Sequence, residues 1–131
     1  MATKEILHVP GISEGLVAHK VPLSAAVRAN GFIFVSGMPP MDPATGRILG
    51  GDIAAQTRHS IETVRHILES AGSSLEKVVS VRIYCSNSGH FAAVNEVYRE
   101  YFAEAPPART FVAVGSWPLA FDIEIECVAL E

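Results

Sequence analysis

The best candidate for binding a substrate is an arginine in an apolar run. Arg109 comes after two prolines and precedes the uncharged, mainly apolar residues 110–114, so it is the one charge in that predicted strand. Its planar guanidinium can bind a carboxylate through two parallel hydrogen bonds, and at a strand end it would anchor the carboxylate of a small substrate. A structural ion pair with Glu124 or Glu126 is the alternative, and the residues alone leave both open.

Two carboxylates occupy the last predicted strand. Glu124 and Glu126 alternate with the apolar residues of 123–127, and alternating residues of a strand point to opposite faces of a sheet. The pattern therefore places both glutamates on one face. If that face meets solvent, they are ordinary surface carboxylates. If it lines a cleft beside Arg109, one of them could orient or deprotonate a water molecule.

Other kinds of site have weaker support. Cys85 and Cys127 each lie inside an apolar run, which indicates buried thiols rather than nucleophiles or a disulfide. The glycines of residues 46–51 precede a predicted helix, but without the Lys-Ser/Thr of a phosphate-binding loop they indicate a turn. We expect no metal site, because the histidines form no recognised metal-binding motif. The histidines are His8, His19, His59, His66 and His90.

Composition favours a small protein that assembles with copies of itself. The 131 residues predict a single domain over residues 1–131. With 49% hydrophobic and 18% charged residues, the chain has apolar surface for a neighbouring subunit to cover. A net charge of −4 with scattered basic residues argues against nucleic acid as a partner. The sequence shows neither a membrane span nor a secretory signal, so we expect no membrane partner and a cytoplasmic location.

Apolar periodicity predicts the element order ββ-α-β-α-ββ. Asn30 and Gly31 suit a two-residue hairpin turn, and Asp52 suits the N-cap of the first long helix. The last two strands are expected to form an antiparallel hairpin. The fold class is α+β, a mixed sheet with two helices packed on one face. The predicted strands are residues 5–9 and 15–19, both weak, then 25–29, 32–36, 78–85, 109–114 and 122–130; the helices are residues 53–71 and 91–102.

Several short motifs follow one another from about residue 25 to the C terminus. They are 28–37 (RANGFIFVSG), 42–46 (DPATG), 51–53 and 56–58 (GDI, QTR), 71–75 (AGSSL), 91–98 (FAAVNEVY), 107–110 (PART) and 123–126 (IEIE). In this order they resemble the Rid family, also called the YjgF family, of small imine and enamine deaminases.

The resemblance implies a fold, an assembly and an activity. It implies a chorismate-mutase-like homotrimer with clefts between its subunits. It also implies a deaminase of the 2-iminobutanoate/2-iminopropanoate type, which hydrolyses 2-aminoacrylate-type enamines and their imines to 2-keto acids and ammonia without a cofactor. By resemblance, Arg109 holds the substrate carboxylate and Glu124 positions the attacking water. The backbone around Gly37 and Phe111 lines the same pocket.

Three positions differ from well-known deaminases of that family. Leu23 stands where they carry a tyrosine that covers the substrate, Phe111 where a cysteine is common, and Met38 where glutamine is usual. These differences predict a more apolar pocket, with a larger or less polar imino acid as substrate or weak activity on the common ones. A non-catalytic trimer that binds a small carboxylate metabolite is the alternative. Ribonuclease activity, ascribed to some relatives, is disfavoured by the acidic charge balance.

Overall fold

A six-stranded mixed sheet forms the centre of the protein. The computed structural model describes residues 3–131. The strands lie in the order β1-β2-β3-β6-β4-β5. β4 and β5 are parallel, and every other pair of neighbouring strands is antiparallel. The strands are β1 (Glu5–Leu7), β2 (Ala26–Ala29), β3 (Phe32–Met38), β4 (Val78–Cys85), β5 (Ala108–Ala113) and β6 (Ile123–Leu130).

Two long helices cover one face of the sheet, as the apolar periodicity predicts. α2 (Ile53–Ser70) packs against α3 (Phe91–Phe102) and against β3 and β6. The N-cap of α2 is Asp52, whose carboxylate accepts a hydrogen bond from the backbone N–H of Ala55 at 2.8 Å, and this satisfies one of the free donors at the helix start. The apolar residues of both helices join those of the sheet in one core.

The predicted hairpin between β2 and β3 is confirmed. Asn30 and Gly31 both have positive φ, 52° and 85°, as the two central residues of a tight hairpin turn require. Further along β3 the pairing with β6 shifts between Val35 and Met38. This β-bulge brings Gly37 against the side chain of Glu124.

The second face of the sheet carries no helix in the described chain. Strand register places Ile6, Val27, Phe34 and Val128 in one row across it, and Phe32 beside Leu130. Ile6 is 63% exposed, Phe34 45% and Leu130 45%. Glu124 and Glu126 lie on this same face, because they alternate with buried residues of β6. We call it the open face.

Two of the predictions for the secondary structure and its pairing are wrong. Residues 15–19 are not a strand, because Ile12–Ala18 forms a short helix, α1, which buries Ile12 and Gly15. The last two strands do not form a hairpin either. β4 lies between them, with Ser80 paired to Ala108 of β5 and Tyr84 paired to Glu124 of β6. The physical reason is that α3 provides a crossover long enough to lay β5 parallel to β4 at the sheet edge.

Candidate active site

Glu124 has the environment expected of a catalytic carboxylate. Its side chain is partly buried where β3 bulges, and a Cβ atom added to Gly37 would lie 2.9 Å from Glu124 Oε1. The indole Nε1–H of Trp117 donates a hydrogen bond to Glu124 Oε2 at 2.6 Å. Burial of the carboxyl raises the pKa of Glu124, the Trp117 hydrogen bond lowers it, and the charge of Glu126 raises it. The net effect is a carboxyl whose pKa lies above its ordinary value.

An apolar cavity of about 200 Å³ opens beside this carboxylate. Its walls come from α1, the segment before β2, the bulge of β3, the following loop and the loop before β6. In the loop before β6, the Trp117 ring packs on the Phe121 ring, with centroids 4.8 Å apart. This contact holds that loop against the cavity. Glu124 and His19 are the ionisable residues among those that line it. The apolar lining includes Leu23, Met38, Met41, Ile48, Trp117 and Leu119.

Arg109 lies on the other side of the sheet. Val81 of β4 pairs with Arg109 and with Cys127, so Arg109 points to the helix-covered face, and Glu124 points to the open face. The Arg109 guanidinium lies over the rings of Tyr98, 4.8 Å from its centroid, and Phe91, at 5.7 Å. These aromatic faces fix the guanidinium without neutralising its charge. Within residues 3–131 it forms no ion pair with a carboxylate, so the structural pairing with Glu124 or Glu126 is not present in the chain.

The two glutamates of β6 differ in their partners. Tyr84 donates its phenolic O–H to Glu126 Oε1, and Arg82 Nη1 lies 3.9 Å from the same oxygen. The hydrogen bond to Glu126 raises the pKa of Tyr84. Glu126 is therefore held by two side chains of β4, whereas Glu124 faces the cavity with one donor. This difference favours Glu124 as the reactive acid.

The candidate residues thus form two separate groups in one chain. Leu23, Gly37 and Glu124 line the apolar cavity. Arg109 and Phe111 project together from β5 onto the opposite face of the sheet, where the Phe111 ring packs edge-on against Phe91 at 5.1 Å. Neither Arg109 nor Phe111 is among the residues that line the cavity.

The remaining candidates have structural surroundings. Cys85 and Cys127 are free and buried, and burial raises the pKa of the Cys127 thiol to about 12. Residues 46–51 form a loop before α2 rather than a phosphate cradle, and Gln56 of α2 donates to the Gly51 carbonyl at 2.9 Å. Within residues 3–131, His, Cys, Asp and Glu side chains do not gather in groups of three that could hold a metal ion.

Sequence reasoning missed two parts of the site. Trp117 lies in the loop before β6, and its hydrogen bond to Glu124 depends on how that loop folds back over the strand, which sequence spacing does not indicate. Leu16 and His19 at the end of α1 line the cavity, but residues 15–19 were expected to be a strand. The available signal for a helix start was Gly11, the N-cap residue of α1, with Glu14 three residues later, whose carboxylate accepts a hydrogen bond from the Gly11 N–H at 2.8 Å.

The fold and the position of the site define an α+β protein with a small-molecule cavity at a sheet bulge. A family model described as endoribonuclease L-PSP matches residues 16–131. The chain therefore belongs to this family, which is the YjgF/Rid family that its motifs resemble.

Three individual proteins illustrate the similarity. The chain is 47% identical over 108 residues to a RutC family protein of Pyrococcus horikoshii, covering 82% of this chain and 86% of the relative. It is 40% identical over 126 residues to the 3-aminoacrylate deaminase RutC of Acinetobacter baylyi, covering 96% and 97%. The crystal structure of Escherichia coli TdcF with bound serine is 32% identical, with a TM-score of 0.77 and coverage of 84% and 88%. The family therefore includes a deaminase.

None of the helices in the described part of the chain has both the length and the apolar character that crossing a membrane requires.

Proposed function

We propose that the protein is a hydrolytic deaminase of small 2-imino acids and their enamine tautomers, and that it releases a 2-keto acid and ammonia. The observation that carries the proposal is Glu124, a partly buried carboxylate of raised pKa that faces an apolar cavity beside a glycine bulge. A carboxylate in such a position can accept a proton from water at a pH where an ordinary surface glutamate is a poorer base.

The named relatives support this chemistry. RutC of Acinetobacter baylyi is a 3-aminoacrylate deaminase, so a related chain of nearly equal length hydrolyses a small enamine that bears a carboxylate. The E. coli TdcF structure contains serine, a small amino acid that bears a carboxylate. 3-Aminoacrylate and serine each carry a carboxylate that an arginine could bind, with a glutamate at the same site.

The proposed reaction needs few protein groups, because an imine carbon is already electrophilic. Arg109 binds the substrate carboxylate through two hydrogen bonds and fixes the imine carbon in place. Glu124 orients a water molecule and takes one of its protons as the water oxygen bonds to the imine carbon. The electron pair of the C=N bond passes to the nitrogen, which receives that proton from Glu124, and the carbinolamine forms. Glu124 then carries the proton of the carbinolamine hydroxyl to the nitrogen, and the C–N bond breaks with its electron pair on the departing ammonia as the keto group forms.

The site is proposed to lie between two copies of the chain in a homotrimer. Arg109 and Glu124 lie on opposite faces of the sheet, so one substrate can touch both only if they come from different copies. The exposed apolar residues of the open face, Ile6, Phe32, Phe34 and Leu130 among them, provide surface for such an assembly.

The proposed partners follow from the same chemistry. The partner is a small imine or enamine that bears a carboxylate, with no nucleic acid and no membrane. The two free buried thiols suit a reducing compartment, so a cytoplasmic location is part of the proposal.

Ammonia and keto-acid release from freshly generated imines tests the proposed activity. The native protein is expected to accelerate release above the spontaneous rate, and Arg109→Ala and Glu124→Gln are each expected to lose the acceleration. Two matched controls, Arg65→Ala and Glu126→Gln, remove the same charges from residues that have structural partners and are expected to keep it.

The release assay, combined with a measurement of pyruvate binding, separates the deaminase from a non-catalytic carboxylate-binding protein. If no imine is accelerated while pyruvate binds and Arg109→Ala abolishes the binding, the protein is a binding protein rather than an enzyme.

A further inference from the structure

The cavity beside Glu124 has the properties of a side-chain subsite. Its floor is formed by two buried methionines, Met38 and Met41, which are 1% and 4% exposed. Leu23 and Leu119 stand at its rim, 44% and 47% exposed. The volume of about 200 Å³ is several times the space of one water molecule, roughly 30 Å³. The cavity therefore has room for a side chain of leucine or methionine size.

The carboxylate of a 2-imino acid has no cationic partner in these walls. The residues that line the cavity include neither lysine nor arginine. His19, the one basic residue among them, directs its Nδ1 to the Gly15 carbonyl at 2.9 Å. A carboxylate placed there would lose its hydration without gaining a partner. The substrate carboxylate therefore belongs with the guanidinium of Arg109, outside this cavity.

Geometry at the imine carbon then leaves one substituent for the cavity. The carbon bears a carboxylate, a nitrogen and a side chain. The carboxylate is held by Arg109 of a second copy, and the nitrogen must stay near Glu124 and water so that it can leave as ammonia. The side chain is the group that remains to occupy the apolar space.

We propose that this cavity binds the side chain of the substrate and selects 2-imino acids with large apolar side chains, of the leucine, methionine and norvaline class, over small or charged ones. The inference rests on the proposed function, because it assigns a substrate class to the same site. The two methionines of the floor are flexible and polarizable, so the subsite accepts both branched and linear chains.

A series of imines tests the proposal. An amino acid oxidase generates them from alanine, 2-aminobutyrate, norvaline, methionine and glutamate, and ammonia release is compared with the spontaneous rate of each imine. We expect kcat/KM to rise about fourfold for each methylene that enters the cavity. The glutamate imine, similar in length to the methionine imine but charged, is expected to react far more slowly than the methionine imine.

Two variants locate the selectivity in the cavity. Leu119→Asp places a charge at the rim, and the ratio of kcat/KM for the methionine imine to that for the alanine imine is expected to fall at least tenfold. Val17→Asp adds the same charge to an apolar residue of α1 that is 77% exposed and lies outside the cavity lining. This control is expected to keep the ratio of the native protein.

The outcomes separate the inference from the proposed function. Acceleration of the alanine imine without an increase along the series, or an unchanged ratio in Leu119→Asp, would overturn the side-chain subsite and leave the deaminase in place. No acceleration of any imine would overturn the proposed function, and the subsite with it.

Discussion

Replacing Trp117 by phenylalanine removes one hydrogen-bond donor from Glu124 and little else. The phenylalanine ring keeps most of the contact with Phe121 and with the cavity, but it has no N–H to place 2.6 Å from Glu124 Oε2. The carboxylate then loses the one side-chain donor that it has among residues 3–131. Trp117→Phe is expected to impair catalysis without unfolding the protein.

The size of the effect follows from the kind of hydrogen bond. A hydrogen bond to a charged group contributes about 1.5–3 kcal/mol. If this interaction orients Glu124 in the transition state, its loss lowers kcat/KM by about 10- to 150-fold at the pH plateau. The Trp117 hydrogen bond also lowers the pKa of Glu124 against the effect of burial. Without it the pKa rises, and the acid limb of kcat/KM moves to higher pH.

The assay is a pH profile of imine hydrolysis for the native protein and two variants. Tyr84→Phe is the matched control, because it removes one donor from the neighbouring Glu126 instead. We expect the plateau and the acid limb to change in Trp117→Phe and to stay near native in Tyr84→Phe. An unchanged profile in Trp117→Phe, or the larger change in Tyr84→Phe, would refute the assignment of Glu124 as the proton acceptor.

Three further predictions concern the bulge, the open face and a buried thiol. Gly37→Ala is expected to lower kcat/KM at least tenfold, because its Cβ would approach Glu124 Oε1 to 2.9 Å and displace the carboxylate; circular dichroism should show a native fold, and native activity would contradict the geometry. If the proposed homotrimer is built on the open face, Phe34→Asp is expected to sediment as a monomer where the native protein sediments as a trimer, and equal masses would show that the open face is not the interface. Burial raises the pKa of Cys127 to about 12 from 9.0, so the folded state holds that proton more tightly than the unfolded state. The protonated Cys127 thiol contributes its whole share of the free energy of unfolding below the ordinary thiol pKa. That contribution declines as the pH rises from the ordinary pKa towards about 12. Iodoacetamide should therefore modify Cys127 in the unfolded but not in the native protein at mildly alkaline pH, and rapid modification of the native protein would contradict its burial.

Local patterns predicted the elements whose signals are strong. The spacing of Ile61, Val64 and Leu68 is helical, and all three are buried in α2. Asn30-Gly31 specifies a hairpin turn through its backbone preferences, and the turn forms there. These features depend on residues close in sequence, so they can be deduced without knowing the tertiary structure.

The order of the strands in the sheet cannot be deduced from local sequence patterns. β5 and β6 are neighbours in the sequence and each reads as a strand, but β6 pairs with β3 and β4 and leaves β5 at the edge. The choice depends on how many apolar residues each arrangement buries, which is a property of the whole sheet. The placement of Arg109 and Glu124 on opposite faces follows from the register in which β5 and β6 pair with β4, and the sequence does not show that register.

The sequence pattern does not predict the short helix α1, for a different reason. Seven residues with a glycine in the middle have little intrinsic helical stability, and the helix depends on burying Ile12 in the core. A local signal could not predict that contact. The orientation of Trp117 towards Glu124 is likewise set by loop packing rather than by sequence spacing.

Mixing two inactive variants tests the central claim that the site is built from Arg109 of one copy and Glu124 of another. Arg109→Ala and Glu124→Gln are unfolded and refolded together in equal amounts. Native protein treated in the same way shows how much activity survives refolding. Random assembly leaves about one quarter of the sites with both native residues, so we predict about one quarter of the native rate of imine hydrolysis. A mixture no more active than the two variants alone would contradict the account and place both residues of each site in a single chain.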